Sequence, residues 1–300
     1  MKLTSSQFKK ARDFIYANGR LLDRRRFEFH FEQGSAEAVL NALRPYQNED
    51  GGYGSALEPD MRTPYSQPIA TEYALSIMDE IGSWDLAMLN GIVNYLKNSL
   101  REEGGFPRAT VDVNDYPHAP WWNTDKDHSG SINPTGRILG LLYKQEVLPG
   151  LEEENWFARS AQFVWKSIPH ACKSDYHDLI QCITFLENVP DRKRAEQEWN
   201  RVDGWLQQPG TIELDPEAKG YVHKVLEWVP APGSYAKKWI SDKDIKRHLE
   251  YLIREQQEDG GWNMSFDALS PGNESEWRSL ITVDRLVTLR SYGCLDSHGQ

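Results

Sequence analysis

Two polar loops hold the side chains of this chain that are best suited to acid–base chemistry. The first, residues 56–68, carries Glu58, Asp60 and Arg62 among three prolines. A carboxyl group near a second carboxylate or against an apolar wall can keep its proton at neutral pH and act as a general acid. Because proline restricts the backbone, we expect this loop to position its charged groups. A salt-bridged connector stiffened by prolines would show the same residues, and the two interpretations are equally open.

The second loop, residues 112–129, is the longest and the most aromatic. Trp121 and Trp122 are adjacent, and Asp125 and Asp127 follow just before a predicted helix. Tryptophan rings can stack on a sugar, stabilise a carbocation with their π faces, or plug one end of a helical barrel. A loop of this length is usually functional or disordered, and adjacent tryptophans argue against disorder.

These loops lead to one set of site predictions. Paired carboxylates can share the acid and base roles of a protonation or a hydrolysis. We predict four catalytic carboxylates, which are Glu58, Asp60, Asp125 and Asp127. The predicted substrate-binding residues are aromatic or cationic side chains of the loops and the helices behind them: Tyr65, Trp121, Trp122, His118, Arg62, Arg137 and Tyr221.

A third cluster, residues 170–178, contains Cys, His and Asp, which are zinc ligands in many proteins. His170 and Cys172 are two residues apart, as are Asp175 and His177, so an irregular loop would be needed to bring the four together. Asp175 is equally suited to cap the N-terminus of the following helix. We therefore predict no bound metal and no cofactor.

A repeated sequence pattern surrounds these loops. Its template is an apolar residue, three residues, Gln or Leu, three residues, Gly, one residue, and an aromatic or apolar residue. The template glycines Gly51 and Gly104 are 53 positions apart, Gly210 and Gly260 are 50 apart, and the central gap is 106. A fixed period of about 50 residues indicates a stack of supersecondary units. Four windows match the template: 43–53, 96–106, 202–212 and 252–262.

Each unit is predicted to be a helix, a glycine stop, a polar loop and a second, more apolar helix. A degenerate copy fits near Val164 and Ile168, with Cys172 in place of the glycine. The predicted second helices run from Ser66 to Ile81, Ser131 to Lys144, Asp175 to Asn188, Asp215 to Val229 and Glu274 to Tyr292.

The window Leu252 to Trp262 resembles the QW motif of squalene and other terpenoid cyclases. From about Ser35 to Gly293, the chain resembles the α/α toroid that these enzymes share with protein prenyltransferase β subunits. The resemblance implies an all-α fold, with about six helical hairpins and about twelve helices closed into a ring. Because the repeat crosses every candidate boundary, we expect one domain over residues 1–300.

The resemblance also implies a function. Class II terpenoid cyclases carry an Asp-x-Asp-Asp acid motif, and residues 125–128 stand at a similar place, with His128 instead of the last Asp. Asp127 is then the implied proton donor, and an isoprenoid-like substrate in the central cavity would be cyclised after protonation. A diphosphate held by Arg62 and Arg137 is the prenyltransferase-like variant of this hypothesis.

Two other functions stay open. A carbohydrate-active hydrolase or lyase would use paired carboxylates and tryptophan stacking, and a non-catalytic toroid would bind a ligand through its rim. Polar residues on the predicted inner helices would make a polar cavity if they face inward, which counts against a pure hydrocarbon substrate: Glu72, Arg137, Lys219, Glu276, Arg278, Asp284 and Arg285.

The charge and composition of the chain limit the classes of molecule that we expect it to bind. The net charge of −11 disfavours nucleic acid and anionic membranes, which bind clustered Lys and Arg. Neither a phosphate-binding loop nor a nucleophile elbow is present in the sequence. Three cysteines and the absence of a spanning segment lead us to expect a cytoplasmic protein without membrane insertion. We expect a small-molecule substrate, and a protein partner or a homodimer stays open.

Overall fold

The computed structural model describes residues 1–125 and 127–296. Within these residues the chain forms twelve α-helices and no β-strand, and its β-type pairs are isolated bridges between single residues. The all-α class and the expected number of helices are therefore confirmed, whereas the closed ring and the single domain stay predictions. None of the helices in these ranges has both the length and the hydropathy of a membrane-spanning segment.

The helices are numbered in chain order. They are α1 (Ser5–Asn18), α2 (Leu21–Phe31), α3 (Ala36–Leu43), α4 (Pro68–Glu80), α5 (Leu86–Ser99), α6 (Ile132–Lys144), α7 (Asn155–Ser167), α8 (Tyr176–Asn188), α9 (Arg192–Leu206), α10 (Val225–Trp228), α11 (Asp242–Arg254) and α12 (Pro271–Ser291).

The chain divides into two compact units. The first contains Met1–Ala42 and the chain from Leu206 onward, and in it α12 packs against α1 and α2, while α10 packs against α11. The second is Leu43–Trp205, in which α6 packs against α4, α7 and α8. Both predicted carboxylate loops belong to this second unit.

The second helix of the first repeat and the first helix of the next differ in how much of their surface is buried. The buried residues of α4 include Thr71, Glu72, Ala74 and Leu75 in near succession, so this helix is enclosed on most sides. In contrast, α5 buries one face, and its N-terminus is capped by the Asp85 carboxylate. An enclosed helix paired with an amphipathic one is the pattern expected for the inner and outer helices of a hairpin.

One predicted inner helix is much shorter than expected. The sequence pattern predicts a helix from Asp215 to Val229, but α10 covers only Val225–Trp228. Pro216 cannot donate a backbone hydrogen bond, and Gly220 has a φ of +86°, so the preceding segment forms turns instead.

All four template glycines have a positive φ: +91° at Gly51, +103° at Gly104, +85° at Gly210 and +97° at Gly260. Three of them end the same reverse turn, in which the glycine N–H donates to the carbonyl three residues earlier, at 2.9 Å in each case. Gly210 lies in a different turn, where the following residue makes the bond. The template thus marks positions where a backbone favoured by glycine is required.

Side chains tie these turns to their neighbours in a repeated way. The Gln47 amide donates to the carbonyls of Gly51 and Met88, and the Gln256 amide donates to those of Gly260 and Gln7, all at 2.9 Å. Each glutamine therefore joins its turn to the first turns of another helix, α5 or α1. In the second window Leu100 holds this position, and the link comes instead from Arg159 of α7, which donates to the Glu102 carbonyl at 2.8 Å.

A threonine on the second helix completes each of these three units. The backbone N–H of the template aromatic donates to a threonine hydroxyl: Tyr53 to Thr71 at 3.1 Å, Phe106 to Thr135 at 2.9 Å, and Trp262 to Thr282 at 3.3 Å. The aromatic side chain is buried in all three cases. These hydrogen bonds therefore fix the second helix against the glycine turn and the aromatic residue that follows it.

The three turns leave no room for a side chain at their glycine. A Cβ on Gly51 would overlap the Gly91 carbonyl oxygen of α5, and one on Gly104 would lie 2.7 Å from the Arg159 carbonyl oxygen of α7. A Cβ on Gly260 would overlap the backbone of Lys10 in α1. By contrast, a Cβ on Gly210 meets no atom within 4 Å.

Replacement of these glycines separates backbone strain from steric overlap. Gly210→Ala should cost about 1–2 kcal/mol, because an L-residue is strained at positive φ. Gly51→Ala should cost about 1–3 kcal/mol more, because the added methyl group must also displace the α5 backbone. Urea unfolding of the two variants measures the difference, and equal destabilisation would contradict the close contact at Gly51.

Candidate functional site

The structure brings the two predicted loops together. The Arg62 N–H donates to the Pro117 carbonyl at 3.0 Å, and the Ala119 N–H donates to the Asp60 carbonyl at 2.9 Å, which forms an antiparallel bridge between Met61 and His118. Three of the predicted site residues, Asp60, Arg62 and His118, are therefore neighbours along this pairing. These two backbone hydrogen bonds fix the register of one loop against the other.

Side chains of the first loop differ in exposure. Asp60 is only 1% exposed, while Glu58 and Arg62 are half-buried and Tyr65 is exposed. Tyr65 lies edge-on to Tyr116 of the second loop, with 6.0 Å between ring centroids. The first loop thus holds its central carboxylate inside and presents an aromatic ring outside.

Asp127 is held in place by the backbone of its loop and by Arg101. Its Oδ2 accepts a hydrogen bond from the Val111 N–H at 3.2 Å and lies 3.9 Å from Nη2 of Arg101. Arg101 also donates through Nε to the Asp127 carbonyl. Asp125 is exposed, and Lys126 between them lies outside the described residues.

The adjacent tryptophans point to different environments. Trp121 is 42% exposed, whereas Trp122 is 7% exposed, with the guanidinium of Arg108 5.1 Å from the centre of its ring. His118 donates from Nδ1 to the Tyr116 carbonyl at 2.6 Å, and its Nε2 bonds to the Asn123 amide at 2.7 Å. Trp122 therefore packs inside the loop, whereas the Trp121 ring is partly exposed to solvent.

A polar cluster around one buried carboxyl group joins α4, α6 and α8 of the same unit. The Glu72 side chain, on α4, is 6% exposed. Its Oε1 is 3.5 Å from Nη1 of Arg137 on α6, and its Oε2 accepts from Nε2 of Gln181 on α8 at 3.1 Å. Nε2 of Gln181 also contacts Oδ1 of Asn133 at 3.3 Å. Burial raises the pKa of the Glu72 carboxyl group, and Arg137 and Gln181 only partly offset this.

Two glycines allow this cluster to form. A Cβ on Gly136 would lie 2.8 Å from the Gln181 carbonyl oxygen, and one on Gly140 would lie 2.5 Å from the Thr184 carbonyl oxygen, so α6 and α8 approach closely. Asn133 has non-helical angles, φ −92° and ψ 111°. Close to this break, the Arg137 N–H donates to Oε1 of Gln181 at 2.6 Å.

Tyr221 belongs to the first compact unit. That unit contains a separate polar cluster. Tyr221 is 58% exposed and lies edge-on to His223, at 5.0 Å. Oε2 of Glu227 is 3.2 Å from Nδ1 of His223, and its Oε1 is 3.5 Å from Nη2 of Arg285. Burial favours a protonated Glu227, but His223 and Arg285 outweigh it and lower the pKa of this carboxyl group.

The Cys, His and Asp cluster is used to begin a helix. Asp175 caps α8 by accepting from the His177 N–H at 2.8 Å, as one of the two interpretations predicts. The Asp178 carboxylate accepts from the Cys172 N–H at 2.9 Å. Within residues 1–125 and 127–296, no three His, Cys, Asp or Glu side chains converge on a common point for a metal ion.

Comparisons with known proteins bear on the fold. No protein-family model matches the sequence, and no curated protein matches it. A crystal structure of a protein from Actinoplanes is similar, with a TM-score of 0.54 and 15% identity over 96% of this chain and 99% of that one.

Two structures of the type II terpene cyclase MstE from Scytonema are also similar. The apo enzyme gives a TM-score of 0.50 at 12% identity, over 97% of this chain and 99% of that one. A variant in complex with its product, merosterolic acid A, gives 0.50 at 11% identity over 96% of both chains. At these identities the likeness shows a shared fold, terpene cyclase-like over nearly the whole chain, and function has to be argued from the site.

The buried Glu72 predicts a pH-dependent stability. Its folded pKa is raised above the usual 4.5, so between the two values the folded chain holds a proton that the unfolded chain has released. Stability from this group is complete below pH 4.5 and is lost as the pH rises through the folded pKa. The Glu72→Gln variant should therefore become more stable relative to wild type as the pH rises from 4.5 to neutral. Urea unfolding of both proteins measures this difference in the free energy of unfolding. A constant difference would show that Glu72 is ionised in the folded chain.

Proposed function

We propose that this protein is a terpenoid cyclase-like enzyme that protonates an isoprenoid-like substrate, with Glu72 as the proton donor. The observation that carries the proposal is a carboxyl group buried on α4, with its pKa raised by that burial. The fold shared with a type II terpene cyclase supports it. A general acid must keep its proton until the substrate arrives, and burial is the simplest way to ensure this.

The contacts of Glu72 suit both states of such an acid. In the protonated state, its uncharged carboxyl group accepts from Gln181 inside the helix cluster. When the proton moves to a substrate alkene carbon, a carboxylate and a carbocation form. Arg137, at 3.5 Å, and the Gln181 amide would then stabilise the new negative charge.

The rest of the reaction balances without a cofactor. A π bond of the substrate attacks the carbocation and closes a ring, and loss of a proton from a neighbouring carbon restores an alkene. The product is an isomer of the substrate, and Glu72 regains its proton. Two aromatic rings on the loops of the same unit, Tyr65 and Trp121, are proposed as substrate contacts, because π faces stabilise cations.

The loop carboxylates are the alternative donors. Asp127 has the position that the resemblance to class II cyclases implies, and Asp125, Glu58 and Asp60 lie on the same loops. The Asp127 carboxylate already contacts Arg101 and the Val111 N–H of its own loop, so it fits a loop-ordering role better than a proton-donating one.

A carbohydrate-active enzyme is the second candidate. The exposed ring of Trp121 favours it, since such a ring can stack on a sugar, and the loop that carries it pairs with the loop of Glu58 and Asp60. Glycoside hydrolysis would need two carboxyl groups about 5–10 Å apart on opposite sides of the scissile bond.

The proposal is tested with linear isoprenoid alcohols, epoxides and diphosphates, followed by mass spectrometry for cyclic products of unchanged mass. Glu72→Gln should reduce turnover by about a hundredfold or more, the usual scale for losing a positioned acid. Glutamine keeps the size of the side chain and can still bond to Gln181, so the fold should be retained.

Asp127→Asn is the matched control, and it should retain turnover within about tenfold. Loss of activity in Asp127→Asn but not in Glu72→Gln would assign the donor to the loop. Release of reducing sugar from a polysaccharide panel, with no isoprenoid product, would favour the second candidate.

A further inference from the structure

The Gln181 side chain joins the other members of the polar cluster around Glu72. It is 2% exposed, and its amide bonds to three partners. Its Oε1 accepts from the Arg137 N–H at 2.6 Å. Its Nε2 donates to Oε2 of Glu72 at 3.1 Å and to Oδ1 of Asn133 at 3.3 Å. The carbonyl oxygen and both hydrogens of this amide are therefore in use.

These three contacts fix which way the Gln181 amide faces. A reversed amide would place its NH₂ group 2.6 Å from the Arg137 N–H, so two donors would meet inside the protein. It would also turn its carbonyl oxygen toward the side-chain oxygens of Glu72 and Asn133. A buried donor that loses its acceptor is costly. The backbone of α6 therefore holds the NH₂ group of Gln181 against Glu72.

The orientation of the amide distinguishes the two oxygens of the Glu72 carboxyl group. A neutral carboxyl group has a hydroxyl oxygen, which carries the proton, and a carbonyl oxygen, which is the stronger acceptor. Because Oε2 accepts from Gln181, the proton is favoured on Oε1. Arg137, whose Nη1 lies 3.5 Å from Oε1, has only donors and cannot accept this proton.

We infer that Gln181 is a positioning residue that keeps the transferable proton of Glu72 on Oε1. This inference rests on the proposed role of Glu72 as the proton donor. After the proton leaves Oε1, the same amide still donates to Oε2, so the hydrogen bond that stabilises the new carboxylate is in place beforehand. The Arg137 N–H contributes by holding the amide in this orientation.

Gln181→Met tests the position of the proton without a substrate. Methionine has a similar length but no amide, so Oε2 of Glu72 loses its donor. The infrared carbonyl band of protonated Glu72, identified by its loss in Glu72→Gln, should move to higher frequency, because a carbonyl group stiffens when it loses a hydrogen bond. Burial raises the pKa of Glu72 and the Gln181 bond lowers it, so the titration midpoint of the band should also rise. An unchanged frequency would overturn the inference.

Gln181→Glu separates the position of the proton from its retention. The new carboxyl group can still accept from the Arg137 N–H, and its second oxygen would then share a proton with Oε2 of Glu72. Glu72 should therefore stay protonated to a higher pH, but with the proton on the wrong oxygen. Turnover of an isoprenoid that wild type cyclises should fall by about tenfold or more, the scale of one misplaced hydrogen bond, with KM nearly unchanged.

Wild-type turnover by Gln181→Glu would overturn the inference. If wild type cyclises no isoprenoid, the proposed function fails, and the infrared comparison still decides which oxygen carries the proton. The two failures are therefore distinguishable.

Gln145→Met is the matched control. Gln145 is 7% exposed in the same unit, and its Nε2 donates to the carbonyls of Leu142 and Leu148, away from Glu72. Its replacement should lower the Tm, as Gln181→Met does, but leave the Glu72 band and the turnover as in wild type. An equal shift of the band in the control would show general loosening of the unit and overturn the inference.

Discussion

In three of the four template windows, the backbone of the glycine turn rests directly on the backbone of a helix, with no space for a side chain. At Gly51, Gly104 and Gly260 the positive φ turns the chain sharply, and the missing Cβ lets the turn contact α5, α7 and α1. Once the turn is in place, the N–H of the next aromatic residue reaches the threonine hydroxyl of the second helix. Each contact thus sets where an inner helix begins.

The position of the inner helices in turn explains the buried carboxyl group. Thr71 is anchored to the first turn, and Glu72 is the next residue of α4, so the anchor places Glu72 between α6 and α8. Gly136 and Gly140 let those two helices approach, and Gln181 then contacts both Glu72 and the start of α6. The ion pair of the buried Glu72 with the partly exposed Arg137 is weak support for stability, because the desolvation of Glu72 offsets the attraction between the charges. A chemical role for Glu72 is consistent with keeping such a group inside.

The sequence predicts the parts of this arrangement that depend on local rules. The template locates the glycine turns, and apolar runs locate α4, α6, α8 and α12 to within a few residues, because helix ends and periodicity are local properties. The contacts made by Thr71 and Gln181 depend on which helices become neighbours, and no local pattern contains that information. The spacing of Gly136 and Gly140 is the one signal of close helix packing that the sequence offers near this site. Trp121 and Trp122 are adjacent in sequence, and which of the two rings is buried depends on the conformation of the folded loop.

The central claim is that burial raises the pKa of Glu72 in the folded protein, so that this carboxyl group holds its proton to a higher pH than a free glutamate does. Its carboxyl carbon can be followed directly by NMR of protein labelled at glutamate side chains, with Glu72→Gln identifying the resonance. The account predicts that this resonance titrates above the usual 4.5 and that Arg137→Met raises the midpoint further, since the neighbouring positive charge is removed. A Glu72 resonance that titrates at or below 4.5 would contradict the account, because the carboxyl group would then have no proton to donate.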